Sequence, residues 1–162
     1  MKFLKKILNL VALTGQRLKY GTENLNQSVV QITMQASVQL KPASSYFVTM
    51  NTAGNAALTT IGAASIFGHL VAGFNDLASA TAGATVMACN VGLDTIYRIP
   101  VAAGTYARTL RGLGCDLSVA SSVQGASVST NAAHHVQLLD GDETNNYYVI
   151  VRQNPAIILG QS

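Results

Sequence analysis

Residues 30–41 read Val30-Gln31-Ile32-Thr33-Met34-Gln35-Ala36-Ser37-Val38-Gln39-Leu40-Lys41. Val30, Ile32, Met34, Ala36, Val38 and Leu40 fall on one side of the alternation, with Gln31, Thr33, Gln35, Ser37, Gln39 and Lys41 on the other. A period of two over this length marks an extended strand whose side chains point alternately to a buried and a wet face. Such one-sided burial belongs to antiparallel sheets, because strands covered on both faces are apolar throughout. Pro42 has no N–H to give to a ladder and closes the stretch.

Downstream the same chemistry recurs in short runs. Residues 46–50, 57–61, 65–74, 85–91, 95–101, 106–110, 115–119, 134–139, 147–152 and 156–159 are strand-like and set apart by Gly, Pro, Asn, Asp or Ser. Thr81-Ala82-Gly83, Gly112-Leu113-Gly114 and Asp140-Gly141-Asp142 are natural turns. No second helical pattern separates the runs, so the reading is all-β: a small antiparallel β-barrel or sandwich rather than a parallel α/β sheet. Neither a linker nor an internal repeat stands out in residues 23–162, which read as a single β domain.

Residues 1–22 differ from the rest. They hold Lys2, Lys5, Lys6, Arg17 and Lys19 and no acid, whereas residues 23–162 hold the other five bases and all seven acids, a net of −2. Wound as a helix, Phe3, Leu4, Ile7, Leu8, Leu10 and Val11 share a side opposite Lys2, Lys5, Lys6 and Asn9. The segment is an N-terminal basic amphipathic arm, helical or extended; extended, it would reach about 70 Å. Three destinations stay open for it: packing on its own domain, docking on a partner, or lying on anionic lipid, the last being the weakest. Lys2, Lys5 and Lys6 ahead of residues 7–13 also imitate a secretory signal, but Asn9 interrupts the apolar run and no small-x-small site follows. No other segment approaches a membrane span.

The body is short of charge. Asp, Glu, Lys and Arg make up 10% of the chain, against an ordinary share of about 25%, so the exterior must consist largely of Ser, Thr, Asn, Gln, Ala and Gly. A surface of that kind is poorly defended against association and suits a protein that packs against neighbours. Cys89 and Cys115 lack CxxC spacing; they read as reduced core residues, with a disulfide in an oxidising compartment as the alternative.

No catalytic residues emerge. His134 and His135 are adjacent and would face opposite ways on a strand, and His69 stands alone among apolar neighbours. Asp140-Gly141-Asp142-Glu143 clusters acids around a glycine without the spread of ligands and closing Glu of an EF-hand, so a solvated turn is the better reading. Phosphate-cradling, dinucleotide, zincin and nucleophile-elbow motifs are absent. Tyr97, Tyr106, Tyr147 and Tyr148 have only Arg98 and Arg108 near them in sequence, too few bases for a stacking platform on nucleic acid. The expectation is a non-enzyme with no cofactor and no metal, binding no nucleic acid.

Asp94-Thr95-Ile96-Tyr97-Arg98-Ile99-Pro100-Val101, then Gly104-Thr105-Tyr106, Gly114-Cys115-Asp116-Leu117 and Val123-Gln124-Gly125-Ala126 form a distinctive succession. Gly141-Asp142-Glu143-Thr144 and Tyr148-Val149-Ile150-Val151-Arg152 close it. This flow of turns and strands, over roughly residues 65–153, resembles the β-rich capsid decoration, or cement, proteins of tailed double-stranded DNA bacteriophages. The resemblance implies a virion protein on the outer surface of the head, made in the host cytoplasm. It also implies a homotrimer that clamps neighbouring major capsid proteins against the pressure of packaged DNA. The long initial arm departs from the compact family pattern. On this reading Lys2, Phe3, Leu4, Lys5, Lys6, Ile7, Leu8 and Val11 form the capsid-binding arm, while the oligomer interface stays unassigned. The alternatives are a tail or host-attachment β module and a secreted β-rich binding protein.

Overall fold

The structure is a computed structural model that describes residues 21–22, 29–41, 45–71, 79–130 and 132–154. Eleven strands carry the described chain: β1 (Gly21–Thr22), β2 (Val29–Thr33), β3 (Phe47–Met50), β4 (Ala56–Leu58), β5 (Gly68–Leu70) and β6 (Val86–Asn90), then β7 (Ile96–Ala103), β8 (Gly114–Ala120), β9 (Val123–Ser127), β10 (Val136–Gly141) and β11 (Tyr148–Gln153). One 3-10 turn, Arg108–Leu110, follows β7. The all-β expectation holds.

The strands form two rolled sheets. The first runs β2-β6-β5-β3-β4, and a parallel bridge between Met34 and Ala56 brings its two ends together. The second runs β7-β11-β10-β8-β9 and closes through a parallel β7–β9 pairing, with β1 added along the outside of β7. Adding five to each strand number converts the first order into the second. The register repeats as well. Ala56 lies between Met50 and Met34, as Ala126 lies between Leu117 and Val101. Following the ladders round each barrel places Val29 at Ile96, Gln31 at Arg98, Thr33 at Pro100 and Met34 at Val101.

An internal repeat is therefore present in the strand pairing, although none is visible in the sequence. Its inward positions match: Ile32 with Ile99, Val48 with Cys115, Leu70 with Leu138 and Cys89 with Val151 are all buried. What the two halves share is a pattern of burial and turns, which many sequences satisfy.

Each barrel has its own apolar centre. Met34, Leu40, Tyr46, Val48 and Leu70 fill the first; Tyr97, Ile99, Leu117, Leu138 and Val149 fill the second. Phe47 and Ile66 come from the first barrel but pack into the second core, so the two cores meet at β3.

Several sequence expectations need correction. The alternating stretch 30–41 is not one strand. Met34 donates its N–H to Thr85 O on the β6 side, Gln35 donates to Ala56 O on the other side, and Ser37 takes a left-handed φ of 63°. The chain turns there because barrel closure requires it to leave one neighbour for another, and Leu40 is buried after the bend. Residues 106–110 contain the 3-10 turn rather than a strand. Asp140 and Gly141 belong to β10, and the turn falls at residues 143–145. Strand β9 went unread, because Gly125 and two serines at 121–122 obscure its alternation. The run 156–159 lies outside the described residues, as do residues 72–74 of the run 65–74.

Glycine permits one close approach in the first barrel. A Cβ on Gly68 would lie 2.5 Å from Cys89 Sγ and 2.6 Å from the Asn90 carbonyl oxygen. The carbonyl belongs to the paired strand and cannot move aside without opening the β5–β6 ladder. Gly68→Ala is expected to lower the unfolding free energy by about 1–3 kcal/mol, read from urea unfolding; an unchanged midpoint would show that the ladder yields at no cost.

Candidate functional site

Most of the buried polar chemistry lies in the seam between the barrels. His69 on β5 packs its ring against Phe47 (4.8 Å between centroids, edge-on) and Tyr97 (4.2 Å, tilted), and Phe47 meets Tyr97 edge-on at 5.0 Å. Ser45 Oγ lies 2.6 Å from His69 Nε2. Asn90 donates through Nδ2 to Thr95 Oγ1 (2.9 Å) and to the Tyr97 hydroxyl (2.8 Å).

A Ser–His contact is the beginning of a nucleophilic site, and its surroundings decide what it does. Both residues are buried, so no substrate carbonyl reaches Ser45 Oγ from solvent. Burial lowers the His69 pKa to about 3, with a backbone hydrogen bond at Leu70 working weakly the other way. The same desolvation pushes Tyr97 up to about 12, and Cys89 and Cys115, both free thiols, up to about 12. These groups stay uncharged near neutrality and act as packing and hydrogen-bonding parts of the fold.

Gln124 and His135 of the second barrel bond the backbone of the first. Gln124 on β9 accepts the Phe47 N–H at 2.5 Å and donates through Nε2 to Phe47 O (2.9 Å) and Thr59 O (2.8 Å). Its amide takes the place of a peptide unit beside β3, just where β4 has ended. His135 accepts the Leu117 N–H on Nδ1 (3.2 Å), which leaves the proton on Nε2 to reach Ala63 O at 2.8 Å. Buried Asp116 gathers the N–H groups of Ala132 (3.0 Å), Ala133 (2.9 Å) and His134 (2.9 Å), shaping the turn that delivers His135. His134, at φ 51°, is exposed beside it. The adjacent histidines thus serve different surroundings.

The acidic segment 140–143 is occupied by its own fold. Asp140 receives the Arg111 guanidinium at 2.5 Å, which holds its carboxyl below the usual range. Asp142 caps the N–H groups of Thr144 and Asn145, both at 3.1 Å, and is lowered by the bond from Asn145 first. Glu143 pairs with Arg108 at 2.9 Å. Among the described residues no three His, Cys, Asp or Glu side chains cluster as metal ligands, and no helix is long and apolar enough to cross a membrane.

Of the tyrosines, Tyr97 and Tyr106 are core, Tyr148 lies under Arg98 (4.5 Å from guanidinium carbon to ring centre), and Tyr147 is exposed. No stacking face results. The arm residues Lys2, Phe3, Leu4, Lys5, Lys6, Ile7, Leu8 and Val11 lie outside the described residues. The end of the segment read as the arm is nevertheless visible: Gly21 and Thr22 are β1, paired with Arg98 and Tyr97.

What remains for recognition is surface. An open apolar groove of about 410 Å³ is lined by Val30, Met50, Ser65, Ile66, Phe67 and Val91. A second of about 410 Å³, also uncharged, runs from residues 35–39 to Leu58, Val119 and Ser122. Sequence reasoning missed both, because each joins residues from distant strands. The chain matches no family model, no curated protein and no solved structure.

Proposed function

We propose that this chain is a structural virion protein: a decoration, or cement, protein that binds the outer surface of a phage head and staples neighbouring major capsid proteins. What carries the reading is the position of the residues that resemble that family. From Asp94 to Arg152 they trace one complete closed barrel, β7 to β11, and several of them form its skeleton. Tyr97, Tyr106, Leu117, Ala126, Val149 and Val151 fill the core, Asp116 fixes a turn, and Gln124 joins the barrels. The low-charge exterior and the two uncharged grooves favour docking against protein surfaces over chemistry.

In this mechanism the body holds an oligomer together and the basic arm makes the shell contact. Phe3, Leu4, Ile7, Leu8 and Val11 act as apolar anchors, and Lys2, Lys5 and Lys6 meet carboxylates on the shell. Several weak arms on one oligomer act at high effective concentration, so avidity exceeds single-arm affinity by about 10²–10⁴. The test is co-sedimentation with mature heads lacking the protein. Saturable binding to expanded shells is expected, and deletion of residues 1–15 should abolish it while leaving the circular dichroism spectrum unchanged. No binding at micromolar concentration would overturn the reading, as would full binding by the truncated chain for the arm's role.

A further inference from the structure

The strand repeat gives each barrel a corresponding mouth, and the two mouths differ in what covers them. By the registers above, Val30, Met50, Phe67 and Val91 of the first barrel correspond to Tyr97, Leu117, His135 and Gln153 of the second. All four of the latter are 0% exposed. Elements of the first barrel lie over them. Phe47 meets Tyr97 edge-on, Phe47 and Ile66 join Leu117 in one apolar cluster, and the Ala63 carbonyl accepts from His135.

The matching mouth of the first barrel has no such cover among the described residues. Val30 is 39% and Phe67 38% exposed, and Met50 and Val91 are half-buried; with Ser65 and Ile66 they line the open apolar groove of about 410 Å³. Apolar surface of this kind is stabilised by removal from water. The segments of the chain outside the described residues differ in chemistry and in point of departure. The arm brings Lys2, Lys5 and Lys6, for which the groove holds no acid. Residues 23–28, Glu-Asn-Leu-Asn-Gln-Ser, carry one large apolar side chain. Residues 72–78 follow Val71, at the end of β5 away from Phe67. Pro155-Ala156-Ile157-Ile158-Leu159-Gly160 is uncharged and holds three consecutive large aliphatic residues.

Its point of departure fits as well. Asn154 donates its N–H to His135 O at 3.2 Å and its Nδ2 to His134 O at 2.8 Å. His135 reaches Ala63 O at 2.8 Å, and Ser65, two residues on, lines the groove. From Asn154 an extended chain carries Ile157 out to about 10 Å and Leu159 to about 17 Å. We infer that the groove at the mouth of the first barrel is the docking site of the chain's own segment 156–159. Ile157, Ile158 and Leu159 supply there the apolar cover that Phe47 and Ile66 supply to the second barrel. The segment straps the last strand of one barrel to the mouth of the other. This contact is independent of the arm and of head binding, and the groove along residues 35–39 is untouched by it.

The experiment uses the full chain, isotope-labelled at the methionine methyl groups for nuclear magnetic resonance. Met50 lines the groove, whereas Met34 is buried inside the same barrel. The joint variant Ile157→Ser, Ile158→Ser, Leu159→Ser is expected to shift the Met50 methyl resonance and leave that of Met34 in place. Leu25→Ser is expected to move neither. A second measurement stands if the serine variant folds poorly. Phe67→Cys is paired in turn with Ile157→Cys, Ile158→Cys and Leu159→Cys under mild oxidation, Cys89 and Cys115 being buried. At least one pair is expected to close a disulfide within a single chain, read as an unchanged monomer mass with two thiols lost to alkylation. A Met50 resonance that ignores the serine variant, or one that answers to Leu25→Ser instead, would overturn the inference. So would closure of none of the three pairs, or closure only between two chains.

Discussion

Replacing Gln124 by Ala should lower the unfolding free energy by about 3–5 kcal/mol, an unusually large cost for one polar side chain. The reason is what it leaves behind. Gln124 is buried and satisfies the Phe47 N–H, the Phe47 carbonyl and the Thr59 carbonyl from across the barrel seam. Thr59 N–H also reaches Phe47 O at 2.9 Å, so that oxygen keeps one partner, while the Phe47 N–H and Thr59 O lose theirs on that side. A buried polar group stripped of its partner costs about 1–3 kcal/mol, and these lie in one network. Gln124→Leu separates the causes, because it fills the volume and restores no hydrogen bond. Both variants should fall together in urea unfolding. A leucine variant near wild-type stability would show that packing, not the amide, joins the barrels.

Acid should weaken the fold through His69. An unfolded imidazole takes its proton near 6.5, whereas His69 in the fold does so only near 3, because burial penalises the charged ring. Between those values the unfolded state binds more protons, so stability falls as pH falls. The contribution is complete above about pH 6.5 and is lost progressively down to about pH 3, with a limiting slope of about 1.4 kcal/mol per pH unit. The titratable groups around the ring, Tyr97 and Cys89, are both held neutral. None of them supplies a negative charge to accompany an imidazolium between Phe47 and Tyr97. Urea unfolding across this range should give a falling stability for the wild type and a flatter profile for His69→Gln. An equally steep profile in the variant would place the acid sensitivity in other groups.

The strand set was largely legible because each half-buried strand carries its own record of alternation. Residues 46–50, 85–91, 95–101 and 147–152 all contain strands at those places. The failures have a common cause. The break at Ser37 and the 3-10 turn at Arg108–Leu110 are imposed by closure and by connections, and no local pattern announces them. Strand β9 is buried on both sides at Gln124–Ser127 and holds Gly125, whose Cβ would meet the Pro100 carbonyl at 2.8 Å. A strand that tightly enclosed loses its polar face, and with it the period of two. The inter-barrel seam was unreadable for a similar reason. Gln124 and His135 look like ordinary surface types, and only their position beside Phe47 and Ala63 makes them structural.

By itself the sequence determined that this protein is all-β, that its bulk is poor in charge and that a basic segment precedes it. Those properties are sums or short periods, and they do not depend on which strands become neighbours. Only the tertiary structure decided that the strands close twice into the same barrel. It also decided that His69 and Gln124 are spent inside the seam. Pairing of strands far apart in sequence is governed by register and mutual burial, and matching registers arise here from two halves of one chain that share few residues.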